Sequence, residues 1–516
     1  MMMGSELTIY DRNTVPRTTT SPITDIPVDI LLAIFKTLVL DAVEILPQIL
    51  CRVCTRWRDC VENSPTLWST IRAYEVLDLT TVVIEREIKR IKTFLTRSQN
   101  CPLTLDIAVF SYLRYERSRQ QEAWANSLPD FHGKLRELSQ AFGEHAHRIK
   151  SLTLVIDDYR STTNILSGLK DVAMPMLTRW DVTNMFDESW SLDEEDLEDE
   201  EVDAHSVLLH PLETPMEERM AMYPKLQFVS LHAVPQHWSQ FSPTNLVTLE
   251  IRMVPEKWRP SAFAFECILR TNAHSLERLT LSVSLPSGIY TGEPVTLPNL
   301  KWIELGFIHT AEVINFIDAI EVPNLRVLSL CDSRREYLHI DLLSNDPATD
   351  TGITDLFAVL VSRFPLRQLT DVTLRHIVLC PMPAPSAEFF SSRMDIAIDF
   401  FCRLENLNFL AISNSDIVTL DALNRVQVRV ESQRPKFPAP KLSHLQIMHT
   451  GHRILQYFLQ QRLSSPKVYK SLVIYMPRIW YDTFKWNTSN LKKLAQEVSL
   501  FITWLGHDAV QQLALT

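Results

Sequence analysis

One short pattern recurs along most of this 516-residue chain: L-x-x-L-x-L, in which other aliphatic residues sometimes replace leucine. Its second half alternates apolar and polar residues, which is the period of a β-strand with one buried face. One such strand cannot bury its apolar side alone, whereas stacked neighbours form a continuous core, so the pattern predicts a stack of similar units. Clear copies begin at Leu226, Leu246, Leu276, Leu300, Leu325, Leu369, Leu407 and Leu442, and weaker copies begin at Ile149, Leu177 and Tyr469.

Helical patterns alternate with these strands. The stripe Ile84, Ile88, Ile91 and Leu95 has helical spacing, and strand period follows at positions 103–109. The copies start 20 to 49 residues apart, and about half of the intervals fit the 20–29 residues of leucine-rich repeats. A doubly wound open sheet also alternates helix and strand. Eleven similar strand candidates without a glycine-rich turn favour an α/β fold in which an irregular leucine-rich-repeat solenoid, or horseshoe, forms residues 73–516.

The N-terminal region has a different, helical pattern. Thr24 to Pro27 is a helix-start signal, and a second apolar face from Ile49 to Val61 predicts another helix that ends at residues 63–65. Leu67 and Trp68 begin a further short turn. Three short helices in about 45 residues do not enclose this much apolar surface, so we expect a partner protein. The alternative is that they only cap the following domain. The first helix has its apolar residues at helical spacing: Ile30, Leu31, Ile34, Phe35 and Leu38.

Three blocks in this region carry a family resemblance: residues 26–35 (IPVDILLAIF), 53–58 (VCTRWR) and 64–68 (SPTLW). They resemble the F-box, whose pattern is Leu-Pro-x-Glu-(Leu/Ile)-Leu-x-x-Ile-Phe, then Val-Cys-x-x-Trp, then Pro-x-Leu-Trp. Ile26 replaces the usual leucine, and Asp29 replaces the usual glutamate. The resemblance divides the chain into a disordered tail (1–22), a three-helix F-box domain (23–72) and the repeat domain (73–516).

The F-box resemblance implies binding of a Skp-family linker, which connects such proteins to a cullin in an SCF-type cullin-RING ubiquitin ligase. The chain would be a substrate-recognition adaptor whose repeat domain binds a protein substrate. Ubiquitin transfer would occur on partner subunits, so we do not expect an enzyme. The alternative is a repeat-only scaffold or inhibitor without a ligase role. By position, the linker contacts would come from Ile26, Pro27, Ile30, Leu31, Ile34, Val53, Cys54 and Trp57, although spacing does not decide which of them face the F-box core.

The repeat region carries a weaker resemblance. Residues 96–105 (TRSQNCPLTL) and 145–154 (HAHRIKSLTL) are similar to phrases of the F-box proteins with degenerate leucine-rich repeats that are abundant in mushroom-forming fungi. A solenoid needs capping segments at its ends. Aromatic residues at 480–486 and Trp504 are typical of a helical cap, so we expect a helix there.

The polar positions of the repeat pattern are the candidates for substrate binding. Because the leucines point inward, the alternate positions lie on the exposed, concave face of the predicted sheet. Exposed tryptophan and arginine residues often anchor protein interfaces, although solvated strand residues would give the same pattern. The candidates are Glu250, Arg252, Arg278, Trp302, Glu304, Arg375 and His444.

The net charge of −11 comes from a single segment. Residues 187–203 contain 11 acidic residues and no basic one, whereas the rest of the chain is balanced. This balance argues against binding of nucleic acid or an anionic membrane by bulk charge. Self-repulsion without periodicity predicts a disordered insertion in the repeat domain.

Composition narrows the chemistry further. The ten glycines include no G-x-G, so a Rossmann fingerprint and a P-loop are absent, and we expect no cofactor. Eight scattered cysteines and a polar N-terminus favour reduced thiols in the cytosol or nucleus. The pair Cys51 and Cys54 lacks the two further ligands that structural zinc requires, so we expect no metal site.

Overall fold

The computed structural model describes residues 26–41, 47–73, 81–109, 121–156, 159–170, 172–185, 222–334, 352–379, 387–414, 417–448, 471–477 and 499–505, apart from short gaps between 235 and 242 and between 424 and 437. The tail 1–22 and the acidic insertion 187–203 lie outside these residues. Two compact units are present. The first comprises Met1–Arg72 and Ile91–Cys101, and the second comprises Ala73–Arg90 and Pro102–Thr516.

The first unit is built from short helices. They are α1 (Val28–Asp41), α2 (Pro47–Leu50) and α3 (Thr55–Glu62), followed by a 3-10 turn (Pro65–Leu67), β1 (Thr70–Ala73) and the last part of α4 (Thr81–Arg97). Helix α1 begins directly after Pro27, as expected because proline is tolerated only at a helix start. Its residues Leu31, Phe35 and Val39, each four apart, form the buried stripe.

The single helix predicted over residues 49–61 is wrong, because the chain turns at Cys51–Val53. Cys54 has an extended backbone (φ −159°, ψ 170°), which ends helical propagation, and it caps the next helix. Its Sγ accepts the backbone N–H of Trp57 at 3.5 Å. The apolar spacing persists across the break because α2 and α3 both bury their apolar residues, Leu50 and Val61.

Trp68 is the centre of the first unit. It is fully buried, and its Nε1–H donates to the carbonyl oxygen of Val61 at 2.9 Å. The Phe94 ring meets it edge-on at 5.1 Å between centroids, and the Arg97 guanidinium lies 4.5 Å from its ring centre. The end of α4 therefore completes this core, so the structural unit extends beyond the predicted residues 23–72.

The second unit contains one large parallel sheet. Each of the eleven predicted copies contains a strand, which begins no more than two residues after the first residue of the copy. These strands pair in chain order. Two small ladders lie outside this sheet: β8 (Val295–Thr296) pairs with β10 (Ile320–Glu321), and β14 (Gln427–Val428) pairs with β15 (Pro435–Lys436). The sheet strands of this unit are β2 (Leu103–Val109), β3 (Ile149–Ile156), β4 (Arg179–Asn184), β5 (Phe228–His232), β6 (Thr248–Arg252), β7 (Arg278–Ser282), β9 (Trp302–Phe307), β11 (Val327–Asp332), β12 (Asp371–Arg375), β13 (Phe409–Ser413), β16 (His444–Met448), β17 (Ser471–Pro477) and β18 (Ser499–Leu505).

Two apolar ladders run across one face of this sheet. The register aligns two alternate apolar positions of every sheet strand from β2 to β16. All of these side chains are at most 1% exposed, which places the core against this face. Leu249 and Leu281 are examples from adjacent strands.

Helices separate the strands as predicted. The stripe from Ile84 to Leu95 lies on α4 and is buried. Successive helices pack beside one another, and the rings of Phe357 and Phe400 join two of them at 4.6 Å. No helix in the described ranges is long and apolar enough to span a bilayer. The remaining helices are α5 (Gln121–Glu144), α6 (Tyr159–Leu166), Ala262–Thr271, Thr310–Asp318, Ile353–Arg363, Ala387–Arg403 and Ile417–Ala422.

A ladder of asparagine side chains keeps the repeat register despite the uneven spacing in sequence. Each of four asparagines stands directly before the first leucine of its copy, and its Nδ2 donates to a carbonyl oxygen in the preceding copy. The accepting carbonyl oxygen always belongs to the residue two positions before the first leucine of the preceding copy. Insertions therefore lie between these fixed points. The donor and acceptor pairs are Asn245 to Pro224, Asn299 to His274, Asn324 to Pro298 and Asn406 to Arg367, at 3.3, 2.6, 2.8 and 2.7 Å.

A second repeated device lies at the other end of the strands. The residue directly after five of them adopts a positive φ, between 51° and 60°. For four of the five, its N–H donates to a carbonyl oxygen at the end of the next strand at 2.8 to 2.9 Å. The acceptor is the last residue of that strand for Ala233, Met253 and His376, and the next-to-last residue, Gly306, for Val283. This left-handed conformation turns the chain out of the sheet. The five residues are Ala233, Met253, Val283, His376 and Asn414.

The predicted helical cap is wrong at Trp504, which lies in β18. All seven residues of this strand pair in parallel with β17. The local sequence SLFITWL explains the strand, because β-branched and aromatic residues favour extended structure. The aromatic residues at 480–486 lie outside the described residues.

Candidate functional site

Exposed apolar side chains are concentrated in the first unit. Eight large apolar side chains are exposed in the described part of the chain, and five of them fall within residues 28–53. Concentrated exposed apolar surface is typical of protein-binding sites. We call these five residues the N-terminal apolar set: Val28, Ile30, Ile34, Ile49 and Val53.

Helix α1 separates an inner face from an outer face. Leu31 is 1% exposed, whereas Ile30 and Ile34 are 55% and 42% exposed. Residues four apart lie one helical turn apart on the same side, so the two isoleucines form one strip. Pro27, one turn earlier, is also exposed and extends it.

The turn before α3 adds the second part of this surface. Val53 is 58% exposed, and Cys54 is exposed as well. Trp57 is half-buried, and its ring meets that of Phe35 edge-on at 4.7 Å. The side chain of Arg56 donates to the carbonyl oxygen of Ile26, which ties α3 to the start of α1.

The eight predicted linker residues are thus distributed unevenly. Leu31 belongs to the core, and Ile26 and Trp57 are partly exposed. Pro27, Ile30, Ile34, Val53 and Cys54 are exposed. Sequence reasoning missed two exposed residues. Val28 lies in the first turn of α1, where no preceding turn covers it, and Ile49 lies in the short helix α2.

The seven predicted substrate residues lie on the face of the large sheet that is opposite the two apolar ladders. We call this face the polar sheet face. Strand alternation places them there, and the register arranges them in three rows. The first row contains Arg278, Trp302 and His444, the middle row contains Glu250 and Glu304, and the third row contains Arg252 and Arg375.

Glu304 joins two of these arginines. Its Oε1 accepts Nη1–H of Arg252 at 3.2 Å and Nη2–H of Arg375 at 2.8 Å, and it is only 3% exposed. Nε of Arg252 also lies 3.8 Å from Glu250 Oε2. Glu250, Arg252, Glu304 and Arg375 therefore form one ionic network. His444 lies farther along the sheet, with Nδ1 2.9 Å from the Ser443 hydroxyl.

Two arginines on this face stack on aromatic rings. The Arg278 guanidinium lies 4.4 Å from the centre of the Trp302 ring, and that of Arg179 lies 3.6 Å from the Phe228 ring centre. Arg179 also pairs with Asp181 at 2.6 Å. The sequence analysis missed Arg179, Asp181 and Phe228, because the copy that starts at Leu177 is weak and the next copy, at Leu226, is far along the chain.

Burial changes the acid–base properties of this face. Desolvation raises the pKa of Glu250, and the nearby charges of Arg252 and Arg278 partly oppose that rise. Desolvation, with help from the charge of Arg252, lowers the pKa of His232. Within the described ranges, no three His, Cys, Asp or Glu side chains are arranged to hold a metal ion.

Comparison with known families gives one match. Residues 23–73 match the family described as F-box-like, and they include all five residues of the N-terminal apolar set. The predicted F-box domain is therefore supported for this segment. No curated protein matches the chain.

Proposed function

We propose that this protein is a substrate-recognition adaptor of an SCF-type cullin-RING ubiquitin ligase. The observation that carries the proposal is the position of the N-terminal apolar set within the F-box-like segment. F-box domains typically bind Skp-type linkers, and an apolar surface is what such a linker would cover. A cullin would be recruited through the linker.

The chemistry of such an adaptor is proximity. It holds a protein substrate near the ubiquitin-loaded subunit, which raises the local concentration of the substrate. This role needs two separate surfaces and no catalytic group, cofactor or metal in this chain. The N-terminal apolar set would serve the linker, and the polar sheet face would serve the substrate.

The repeat part of the proposal is a leucine-rich-repeat solenoid of the degenerate fungal type. Its support is the strand order, which follows the chain from β2 to β18 without a reversal. A doubly wound sheet reverses its order at a switch point. The asparagine ladder and the left-handed residues after the strands add two features that repeat from copy to copy.

We place the protein in the cytosol or nucleus as part of this proposal. Its support is the state of the cysteines, because the seven in the described residues are all free thiols. Disulfides are rare in those compartments.

The test is copurification of the full chain with a Skp-family linker. We expect the wild type to bind, and Pro27→Asp with Ile30→Asp to lose at least a hundredfold in affinity, because an unpaired charge would be buried at the interface. Both positions are exposed, so stability should change by no more than about 0.5 kcal/mol. The matched control is Ile289→Asp, which changes an isoleucine that is 76% exposed in the second unit.

Unchanged linker binding by the double variant, with an unchanged melting temperature, would refute the assignment. The second candidate, a repeat-only scaffold or inhibitor, predicts that even the wild type does not bind the linker. Point variants are preferable to deletion of residues 1–72, because that deletion would uncover Phe94, which packs on Trp68.

A further inference from the structure

The centre of the polar sheet face holds two like charges close together. Arg252 and Arg375 are on β6 and β12, yet both guanidinium groups reach the same oxygen of Glu304. At 3.2 Å and 2.8 Å from that oxygen, the two nitrogens are no more than about 6 Å apart, a separation at which like charges repel. The bridging carboxylate of Glu304 offsets one of the two positive charges, and a bound anion would supply a second counter-charge.

The cations lie above the carboxylates. The side chain of Glu304 is 5% exposed and that of Glu250 is 17% exposed, whereas those of Arg375 and Arg252 are 20% and 27% exposed. Arg278 in the first row is exposed. The charge that this part of the face presents to a ligand is therefore cationic, although its formal charges nearly cancel. Among the other acids on this face, Asp371, in the first row, is four residues from Arg375, or about 13 Å along β12, and Asp181, in the middle row, is paired with Arg179.

Small residues separate the two arginines. In the third row, the positions between them on β7, β9 and β11 are Ser282, Gly306 and Cys331. A Cβ on Gly306 would lie 2.8 Å from the Ser282 hydroxyl oxygen, so this position has no room for a larger side chain. The residues between the two arginines in this row therefore carry no long side chain that would cover the guanidinium groups.

An aromatic surface lies beside the arginine pair. Trp302 precedes Glu304 by two residues on β9 and is on the same face. It is partly exposed, and the Arg278 guanidinium covers part of its ring. A ligand whose anionic group contacts Arg252 and Arg375 would place its neighbouring side chain against Trp302.

We propose that Arg252, Arg375 and Trp302 form a binding site for an acidic peptide segment of the substrate, in which Asp or Glu carboxylates contact the arginines and an adjacent apolar side chain contacts Trp302. Glu304 is a positioning residue that holds the two guanidinium groups together. Charge-assisted hydrogen bonds to carboxylates are stronger than neutral ones, and arginine provides them in pairs. This inference rests on the proposed role of the repeat domain in substrate binding.

The test uses the purified full chain on an array of nine-residue synthetic peptides. Each peptide has one central leucine or tryptophan flanked by Glu, Asp, phosphoserine, Gln or Asn. We expect retention of the Glu and Asp peptides, weakening with added salt, and little retention of the Gln and Asn peptides. Arg252→Gln and Arg375→Gln should each reduce affinity at least tenfold. The matched control is Arg363→Gln, which removes a surface arginine paired with Asp318 at 2.9 Å.

Glu304→Gln separates binding from simple structural support. Because glutamine keeps the shape and an oxygen that can accept from both arginines but removes the internal negative charge, acidic peptides should bind more tightly to this variant. Weaker binding by the folded variant would count against the proposal. Melting temperatures check that each variant is folded. Retention without a preference for acidic peptides, a preference for phosphoserine over Glu, or unchanged binding by both arginine variants would overturn the proposal. The peptide assay needs no linker, so its failure is distinct from a failure of linker copurification.

Discussion

Asn272 offers a sharp test of how the repeats are held together. It is 1% exposed and makes three hydrogen bonds. Its Oδ1 accepts the N–H of Leu246 at 2.9 Å, and its Nδ2 donates to the carbonyl oxygens of Pro243 at 2.8 Å and Ile268 at 2.9 Å. One side chain thus joins the helix Ala262–Thr271 to the turn that begins the copy at Leu246.

We expect Asn272→Ala to destabilise the second unit by about 3–5 kcal/mol. The two hydrogen bonds donated by Nδ2 account for about 1 kcal/mol each, and the buried N–H of Leu246, left without an acceptor, costs about 1–3 kcal/mol in place of the third bond. The matched control is Asn299→Ala. That asparagine is exposed and donates one bond, to His274, so its loss should cost about 0.5–1.5 kcal/mol.

Urea unfolding of the full chain measures the two free energies, and hydrogen exchange of the peptide that contains Leu246 reports the local effect. Exchange at Leu246 should accelerate in Asn272→Ala and remain slow in Asn299→Ala. Equal destabilisation by the two substitutions, or unchanged exchange at Leu246, would show that the hydrogen-bond reasoning is wrong.

Two further predictions concern a helix and a carboxylate. Gly133→Ala in α5 should stabilise the protein by about 0.8–1 kcal/mol, because nothing lies within 4 Å of the position that its Cβ would take. Gly143→Ala in the same helix should destabilise the protein by about 1–3 kcal/mol, because the new methyl group would clash with the carbonyl oxygen of Gly168. Thermal unfolding measures both, and shifts of the same sign would contradict the packing argument. Burial raises the pKa of Glu250, so its contribution to stability is fully present below the unfolded-state pKa and is lost as the pH rises through the folded-state pKa. Glu250→Gln should therefore raise the melting temperature at pH 7 and leave it unchanged below about pH 4.3; an equal gain at both pH values would count against this assignment.

The repeat strands were predictable because each copy repeats the same alternation, which the sheet buries on one side from β2 to β16. The turns that follow them were not. Their left-handed positions hold Ala233, Met253, Val283, His376 and Asn414, with no glycine to mark them. Glycine is the usual signal for that conformation, so tertiary packing must impose it here. The break before α3 was hidden for a similar reason, because two short helices together preserved the spacing of one long helix.

The candidate sites were predictable to different degrees. The alternation of apolar and polar residues along each strand correctly placed Arg252, Glu304 and Arg375 on one face of the sheet. Their contacts, however, join residues 52 and 71 positions apart, and only the register of the strands between them brings these side chains together. On α1, apolar residues cover most of the helix circumference, so spacing did not separate Ile30 from Leu31. That separation depends on which side packs against Trp57 and the rest of the small core.

The two proposed surfaces depend on different forces, and this difference suits an adaptor. An apolar surface gives a linker contact that is largely independent of salt, because burial of apolar area is not screened. A site made of arginines held over buried carboxylates recognises charge and its spacing, so it discriminates among ligands. The net charge of −11 describes neither surface, because it arises in residues 187–203. What matters for recognition is local: at the centre of the polar sheet face, Glu250 and Glu304 are more deeply buried than the arginines that contact them.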